Sequence, residues 1–486
     1  MNYKKILLIT PPVQTELGPV RPSIGLGYLS QVLVDSKIEH CVFDMLLGYS
    51  VGELLQKIAE FKPDLLGISL FSNKYKTAYA ALAEVRRAFP ELCIVAGGPH
   101  VSCLREELLA DCPEIDYGVY LEGEAALLDL CNGMDPEKIG NLIFRKSGKI
   151  VVNPPRAFIS DLDVLGFPKY ERFDIEKYIS ERAIISSRGC PHSCTYCAVK
   201  VVMGRQVRLR SPKSVADELE YWYKKGYRQF SFQDDNFILT ENRAAGIFDE
   251  ITARGMRDLL LRCAGARADM LSRNILERMQ RVGFKTIAIG AEVGNNRMLE
   301  VVKKGERFED IEFAVKTACE LGFDVYLNFL AGVPFETLAD IEDSVNFALK
   351  YPVFYAEWSN IIPYPGTEMY EWLKGKGYLL KQPEEYLNTC FTTSTEPVFE
   401  TPELPYAVRK KLLVFLKKVR VRVLRRGMRL RLERQGIPKV VSHILSYIIS
   451  SDAINKYLFQ NKVRRMADFI RFRLYMRKSK VSGNKT

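Results

Sequence analysis

The chain has 486 residues, 47% of them apolar and 27% charged, which excludes a disordered or fibrous protein and predicts two or three globular domains. No apolar run approaches the roughly 20 residues that span a bilayer. The net charge of +11 is uneven: residues 401–486 hold 23 Lys and Arg against 4 Asp and Glu, so of that total residues 1–400 carry −8.

The N-terminus, MNYKKILLITPPV, lacks the small-residue cleavage site of a signal peptide and fits a buried first strand. Strand patterns follow at KILLIT, HCVFDM, LLGISLF, CIVAGG and YGVYLEGE, with helical patterns such as LSQVLVDS and VGELLQKIAEF between them. Strands alternating with helices predict an α/β, Rossmann-like parallel sheet over residues 1–135, with ligands at the carboxyl ends of its strands. Residues 136–180 break that rhythm with NGMD, KSGK, NPP and GFPKY and read as a linker.

A second series runs AIISSRG, FSFQDDNF, LLRCAGARA, KTIAIGAEVG, VYLNFLAGVP and EWSNIIPYPG, again with helical segments between. Six β/α units predict a partial (β/α)6 barrel over residues 181–390. Residues 391–486 read as a basic helical region.

Eleven cysteines are scattered singly except for three in RGCPHSCTYCA at 190, 194 and 197. Unpaired cysteines without an export signal predict a reducing, cytoplasmic setting and no disulfide framework. A structural zinc site wants four ligands in paired clusters, and a redox pair needs only two thiols. Three thiolates on one loop can hold three irons of a 4Fe-4S cluster and leave the fourth without a protein ligand.

The pattern C-x3-C-x2-C, with Tyr196 before the last cysteine, resembles the radical S-adenosylmethionine (SAM) superfamily. The resemblance implies a 4Fe-4S cluster on Cys190, Cys194 and Cys197 whose open iron chelates SAM and cleaves it to a 5′-deoxyadenosyl radical. It further implies SAM contacts at Asp234 or Asp235 in FQDDNF, Arg267 in CAGARAD and Glu292 in IGAEVG. Gly332 and Pro334 of LAGVPFET, with Pro363 of IIPYPGTEMY, match segments that pack on adenine. An arginine suits a bidentate carboxylate contact.

Residues 1 to about 390 resemble the cobalamin-dependent class of that superfamily. Laying the family's I-G step on Ile24 and Gly25 puts Val20 and Pro22 where its aspartate and cobalt-ligating histidine would stand, so the lower ligand is missing. Ser69, Gly97 and Gly98 fall where the family flanks the nucleotide tail of cobalamin, and a small residue lets a bulky ligand approach. His40 and His100 read as surface or capping residues rather than cobalt ligands, and YLEGEAA (120–126) as a contact with cofactor or partner domain.

This class implies methylation of an unactivated carbon, SAM serving both as methyl source and as radical source, with a reductant such as flavodoxin or ferredoxin. Members of it also cyclise or rearrange substrates, because the cofactor supplies the hard chemistry. Two alternatives stay open: a radical SAM enzyme with an empty cobalamin-like domain, and a non-catalytic cobalamin or iron-sulfur sensor. The cationic, apolar stretch 409–435 predicts peripheral contact with anionic lipid and a lipid-like substrate. Its sparse aromatic residues disfavour nucleic acid.

Overall fold

The computed structural model describes residues 2–12, 20–73, 75–389 and 391–450. Its first sheet is built on β1 (Lys5–Ile9), β2 (Glu39–Phe43), β3 (Leu65–Ser69), β4 (Cys93–Gly97) and β5 (Tyr117–Val119), all parallel. β1 and β3 are almost wholly buried apolar runs, as strands covered on both faces must be. Strand order 2-1-3-4-5 creates a reversal at β1 and β3, where an open α/β sheet forms its ligand crevice.

The segment expected as a linker differs from that reading. β6 (Leu142–Lys146) and β7 (Lys149–Val152) form an antiparallel hairpin that extends the first sheet beyond β5. Only the remainder crosses between domains, and Leu162 and Leu165 there pack on Tyr28 and Val32 of the helix Ile24–Asp35.

The second sheet is parallel and open, in the order 15-14-13-12-11-8: β8 (Arg182–Ile184), β11 (Gln229–Phe232), β12 (Leu260–Ala266), β13 (Phe284–Glu292), β14 (Asp324–Ala331) and β15 (Tyr355–Asn360). A short ribbon of β9 (Ser187–Arg188) and β10 (Arg208–Leu209) closes the chain segment around the cysteine loop. All six expected barrel strands are present.

The basic region is a 29-residue helix, Tyr406–Arg434, followed by a shorter one, Lys439–Ile449. A Cβ on Gly427 would lie 2.2 Å from the Phe354 carbonyl, so the long helix rests directly on the edge of the barrel. Several of its cations bind protein. Arg426 donates to the carbonyls of Ala348, Leu349 and Tyr351 and caps the helix Leu338–Lys350, Arg420 pairs with Glu357, and Arg434 pairs with Asp324. Among the described residues no helix is long and apolar enough to cross a membrane.

Candidate active site

The cysteine loop leaves β9 and is held at its centre. Thr195 donates its N–H to the Val302 carbonyl (3.0 Å) and its carbonyl accepts the Met369 N–H (3.0 Å), clamping the loop between the ends of two barrel units. Cys190, Cys194 and Cys197 are all free and partly buried, and the Cys197 thiol lies within electrostatic reach of the other two. Burial pushes Cys194 up, and Cys197 to about 11, so cluster loading must displace protons. Among the described residues no His, Cys, Asp or Glu group converges on a single ion. A cube gives each thiolate its own iron, so three separate thiols fit a cluster where they would not fit a bare metal.

Beneath the loop lies a buried network of charges. Lys304 contacts Glu292 (3.1 Å) and Glu306 (3.5 Å). Burial works against its charge, yet Glu292 and Glu306 hold its ammonium at about 12. Arg267, matched to the arginine that pairs with the SAM carboxylate, donates to the carbonyls of Lys304 (2.7 Å) and Gly305 (3.1 Å) and forks onto Asp269. Glu292 sits at the end of β13 in the left-handed region (φ 63°), beside the Tyr196 hydroxyl. Sequence reasoning missed Lys304, which carries no motif of its own.

The two aspartates of FQDDNF have different surroundings. Asp234 is buried and accepts from the Ser186 N–H (2.9 Å) and from the hydroxyls of Ser186 and Ser187, which ties β8 to β11. Asp235 accepts the Gly189 N–H (3.2 Å), next to the first cysteine, and also lines a cavity. Asp234 is therefore a positioning group, and Asp235 is the one with open space before it.

That cavity, of about 340 Å³, opens between the two sheets. Gly25, Ser69, Gly97 and Gly98 line one side, and Arg188, Met203, Gln233 and Asp235 the other. Among the described residues no histidine lines it. A Cβ on Gly25 would meet nothing within 4 Å, so the missing side chain leaves open space. Gly98 has φ 98°, and a Cβ there would fall 2.7 Å from the Leu70 carbonyl, so the turn after β4 requires glycine. Pro22 is buried and not among the lining residues; Ser23 lines the cavity instead and caps the helix Ile24–Asp35. The glycine floor and the absence of an imidazole fit a large flat corrin bound without a protein ligand.

His100 is buried between the Tyr79 and Ser72 hydroxyls and stacks on Tyr75, and burial pushes its imidazole down to about 4. His40 bonds Ser30 and the Ile38 carbonyl. Both are buried with structural partners, where a surface or capping position was expected.

YLEGEAA joins the domains. Glu122 pairs with Arg188 (2.8 Å) and Arg208, and Glu124 pairs with Arg188 (2.7 Å), all four largely buried. Arg188 also stacks over Tyr28 (4.9 Å).

At the far end of the barrel, Gly332, Pro334 and Pro363 are buried around the termini of β14 and β15. The Pro363 carbonyl accepts from the Tyr386 hydroxyl, and Gly332 (φ 88°) lies against Arg409. Arg409 belongs to the basic helix and looked like one cation among many in the sequence.

Known proteins share this architecture. The radical SAM superfamily matches residues 184–348 and the B12 binding domain matches residues 12–130. An uncharacterized methyltransferase of Pyrococcus horikoshii is 28% identical over 433 residues, covering 85% of this chain and 93% of its own. Cytidylyl-2-hydroxyethylphosphonate methyltransferase of Streptomyces wedmorensis is 25% identical over 457 residues, covering 79% and 84%. The cobalamin-dependent SAM radical enzyme OxsB, solved with aqua-cobalamin and SAM bound, has the same fold at a TM-score of 0.72, with 15% identity over 99% of this chain and 80% of that one. The radical SAM methyltransferase TsrM from Kitasatospora setae, solved with cobalamin and a 4Fe-4S cluster, gives 0.67, with 21% identity over 77% and 75%. The clamped three-cysteine loop on its open parallel barrel lies in the radical SAM domain of this chain, residues 184–348, and the glycine floor of the cavity facing it lies in a B12-binding domain, residues 12–130.

Proposed function

We propose that the protein is a cobalamin-dependent radical SAM methyltransferase that acts on an unactivated carbon of an apolar, lipid-like substrate, with flavodoxin or ferredoxin as reductant. One observation carries it: a single cavity joins the glycine floor of the first sheet to Asp235, which holds the residue before the first cysteine. The two relatives described above, both methyltransferases by name, support methyl transfer over the other reactions of this architecture.

When bound, SAM with the cluster supplies a carbon-centred radical, and cobalamin supplies the methyl group. The chain's own residues arrange that chemistry. Cys190, Cys194 and Cys197 hold the cluster, and Thr195 fixes their loop. Asp235 offers a carboxylate for the SAM amino group, while Asp234 holds the two serines that lead into the loop. Glu292 offers an anion for ribose, and Arg267 orients the Lys304–Gly305 turn beneath. Gly25, Ser69, Gly97 and Gly98 cradle the corrin. The lining is otherwise largely apolar, with Ile24, Leu29, Phe71, Val95 and Leu127, which supports an apolar substrate and excludes water from a radical.

Anaerobic reconstitution with iron, sulfide and hydroxocobalamin tests the reading. Bound cobalamin together with 5′-deoxyadenosine formation under dithionite is the expected result. Deoxyadenosine without cobalamin would make the first sheet a scaffold and remove methyl transfer.

A further inference from the structure

The helix Lys439–Ile449 is packed the wrong way round for a helix that belongs to a protein core. Its serines face inward: Ser442, Ser446 and the capping Ser450 are 0%, 1% and 3% exposed. Their hydroxyls are satisfied locally, by the carbonyls of Ile437, His443 and Tyr447, and Arg425 of the long helix donates to Ser450 (2.9 Å). The apolar side chains face outward. Val440 is 72% exposed, Ile444 54% and Tyr447 50%, with Val441 and Ile448 beside them. At 3.6 residues per turn these five fall on one arc of about 120°, opposite the serines.

A contiguous apolar face of this kind marks an interaction surface. Charge identifies what covers it. Lys439 opens the helix, and on the long helix Lys411, Lys417, Lys418 and Arg422 are exposed and carry no ion pair among the described residues. Val414 and Phe415 are exposed between them. The sequence continues from 451 to 486 with 10 Lys and Arg against 2 Asp and Glu. An acidic, apolar partner is required, and a bilayer with anionic headgroups offers both at once. Eleven residues rise only about 16 Å, half of the roughly 30 Å hydrocarbon layer, so this helix lies in the plane of the interface.

We propose that the outward face of Lys439–Ile449 inserts into the headgroup region of an anionic membrane, and that the exposed cations Lys411, Lys417, Lys418, Arg422 and Lys439 hold it there. The inference does not depend on methyl transfer. Its consequence is that the enzyme meets substrate at a lipid surface.

The test is co-sedimentation of the full chain with vesicles of phosphatidylcholine alone and of an equal mixture of phosphatidylcholine and phosphatidylglycerol. The parent protein is expected to bind the mixed vesicles, less tightly as salt rises, and the variant Ile444→Ser/Tyr447→Ser/Ile448→Ser to bind about tenfold or more weakly. All three positions are exposed, so deoxyadenosine formation by the reconstituted variant should match the parent and certify its fold. No binding to the mixed vesicles, or equal binding to both kinds, overturns the proposal. Undiminished binding by the variant overturns it by assigning the lipid contact to the basic sequence alone. A lipid-free dimer that the variant dissolves would give the face to a second copy instead.

Discussion

The guanidinium of Arg409 lies 3.3 Å from the carbonyl of Gly332 and bridges from there to the side chain of Asn360 (3.0 Å), across the ends of β14 and β15. It stacks on Phe399 (3.8 Å). A residue 77 positions downstream thus fastens the basic helix to the barrel rim. On the other side of Gly332, Glu336 accepts the glycine N–H (2.6 Å).

Glu336 is buried, which pushes its carboxyl up to about 8 despite the Gly332 N–H and Arg409. A folded value above the unfolded one means the folded state holds the proton more tightly. The stabilisation is complete below about pH 4.5 and is lost as pH rises towards 8. Glu336→Gln keeps an acceptor for Gly332 and removes that loss. Urea unfolding at pH 5 and pH 8 should show wild type losing on the order of 3 kcal/mol more than the variant over that interval. Parallel curves for the two proteins would place the Glu336 carboxyl in its ordinary range.

Glu122 ties two arginines of the barrel segment to the first sheet. Burial opposes its charge, but Arg188 and Arg208 hold its carboxyl below the usual carboxylate range. Its contribution is present above the ordinary pKa of about 4.3 and is lost as pH falls through the lower folded value. Glu122→Ala leaves Arg208 buried without its carboxylate and should cost about 3–5 kcal/mol. The measurement is the urea midpoint at neutral pH, with limited proteolysis of the 154–180 crossing as a second readout. A cost below about 1 kcal/mol would mean that the pair is solvated and does not join the domains.

The expected strands were legible because they pair in parallel and are covered on two faces, so LLGIS and FSF read as apolar runs without ambiguity. LIFRK and KIVV were missed because they are half exposed and enclose the turn KSGK, which looked like linker. The cysteine loop was legible because its chemistry depends on spacing along one segment. Lys304 and Arg409 were not. Each gains its role from carboxylates or carbonyls brought in from distant segments, and in the sequence each is one cation in a basic run. Arg267 shows the converse: its motif is plain, but Asp269 and the Lys304–Gly305 carbonyls occupy its donors.

Two glycines of the cavity separate folding from binding. Gly98→Ala places a Cβ against the Leu70 carbonyl in a backbone conformation that disfavours side chains, and should destabilise the first domain by about 1–3 kcal/mol. Gly25→Leu extends into open cavity space, so the unfolding midpoint should hold while hydroxocobalamin binding weakens about tenfold. Absorbance titration of the reconstituted proteins decides it. Equal cobalamin affinity for Gly25→Leu and wild type would remove this cavity as the corrin site.

Lys304 supports the cysteine loop from below. Its ammonium is shared by Glu292 and Glu306, and its carbonyl accepts from Arg267, so one residue sets the charge balance under Cys194. Lys304→Met keeps the length of the side chain, strips Glu292 of its cation and leaves Glu306 only the Arg267 guanidinium at 3.9 Å. The penalty for uncompensated buried charge is about 3–5 kcal/mol, and one carboxylate should take up a proton in response. Stability of the variant should therefore recover as pH is lowered from 8 to 5, whereas Lys304→Arg, which keeps the charge, should not show this dependence. Iron content after anaerobic reconstitution should fall for Lys304→Met even at pH 5, because the loop loses its cationic support. A variant with normal iron loading and a flat pH response would make Lys304 a spectator of the cluster site.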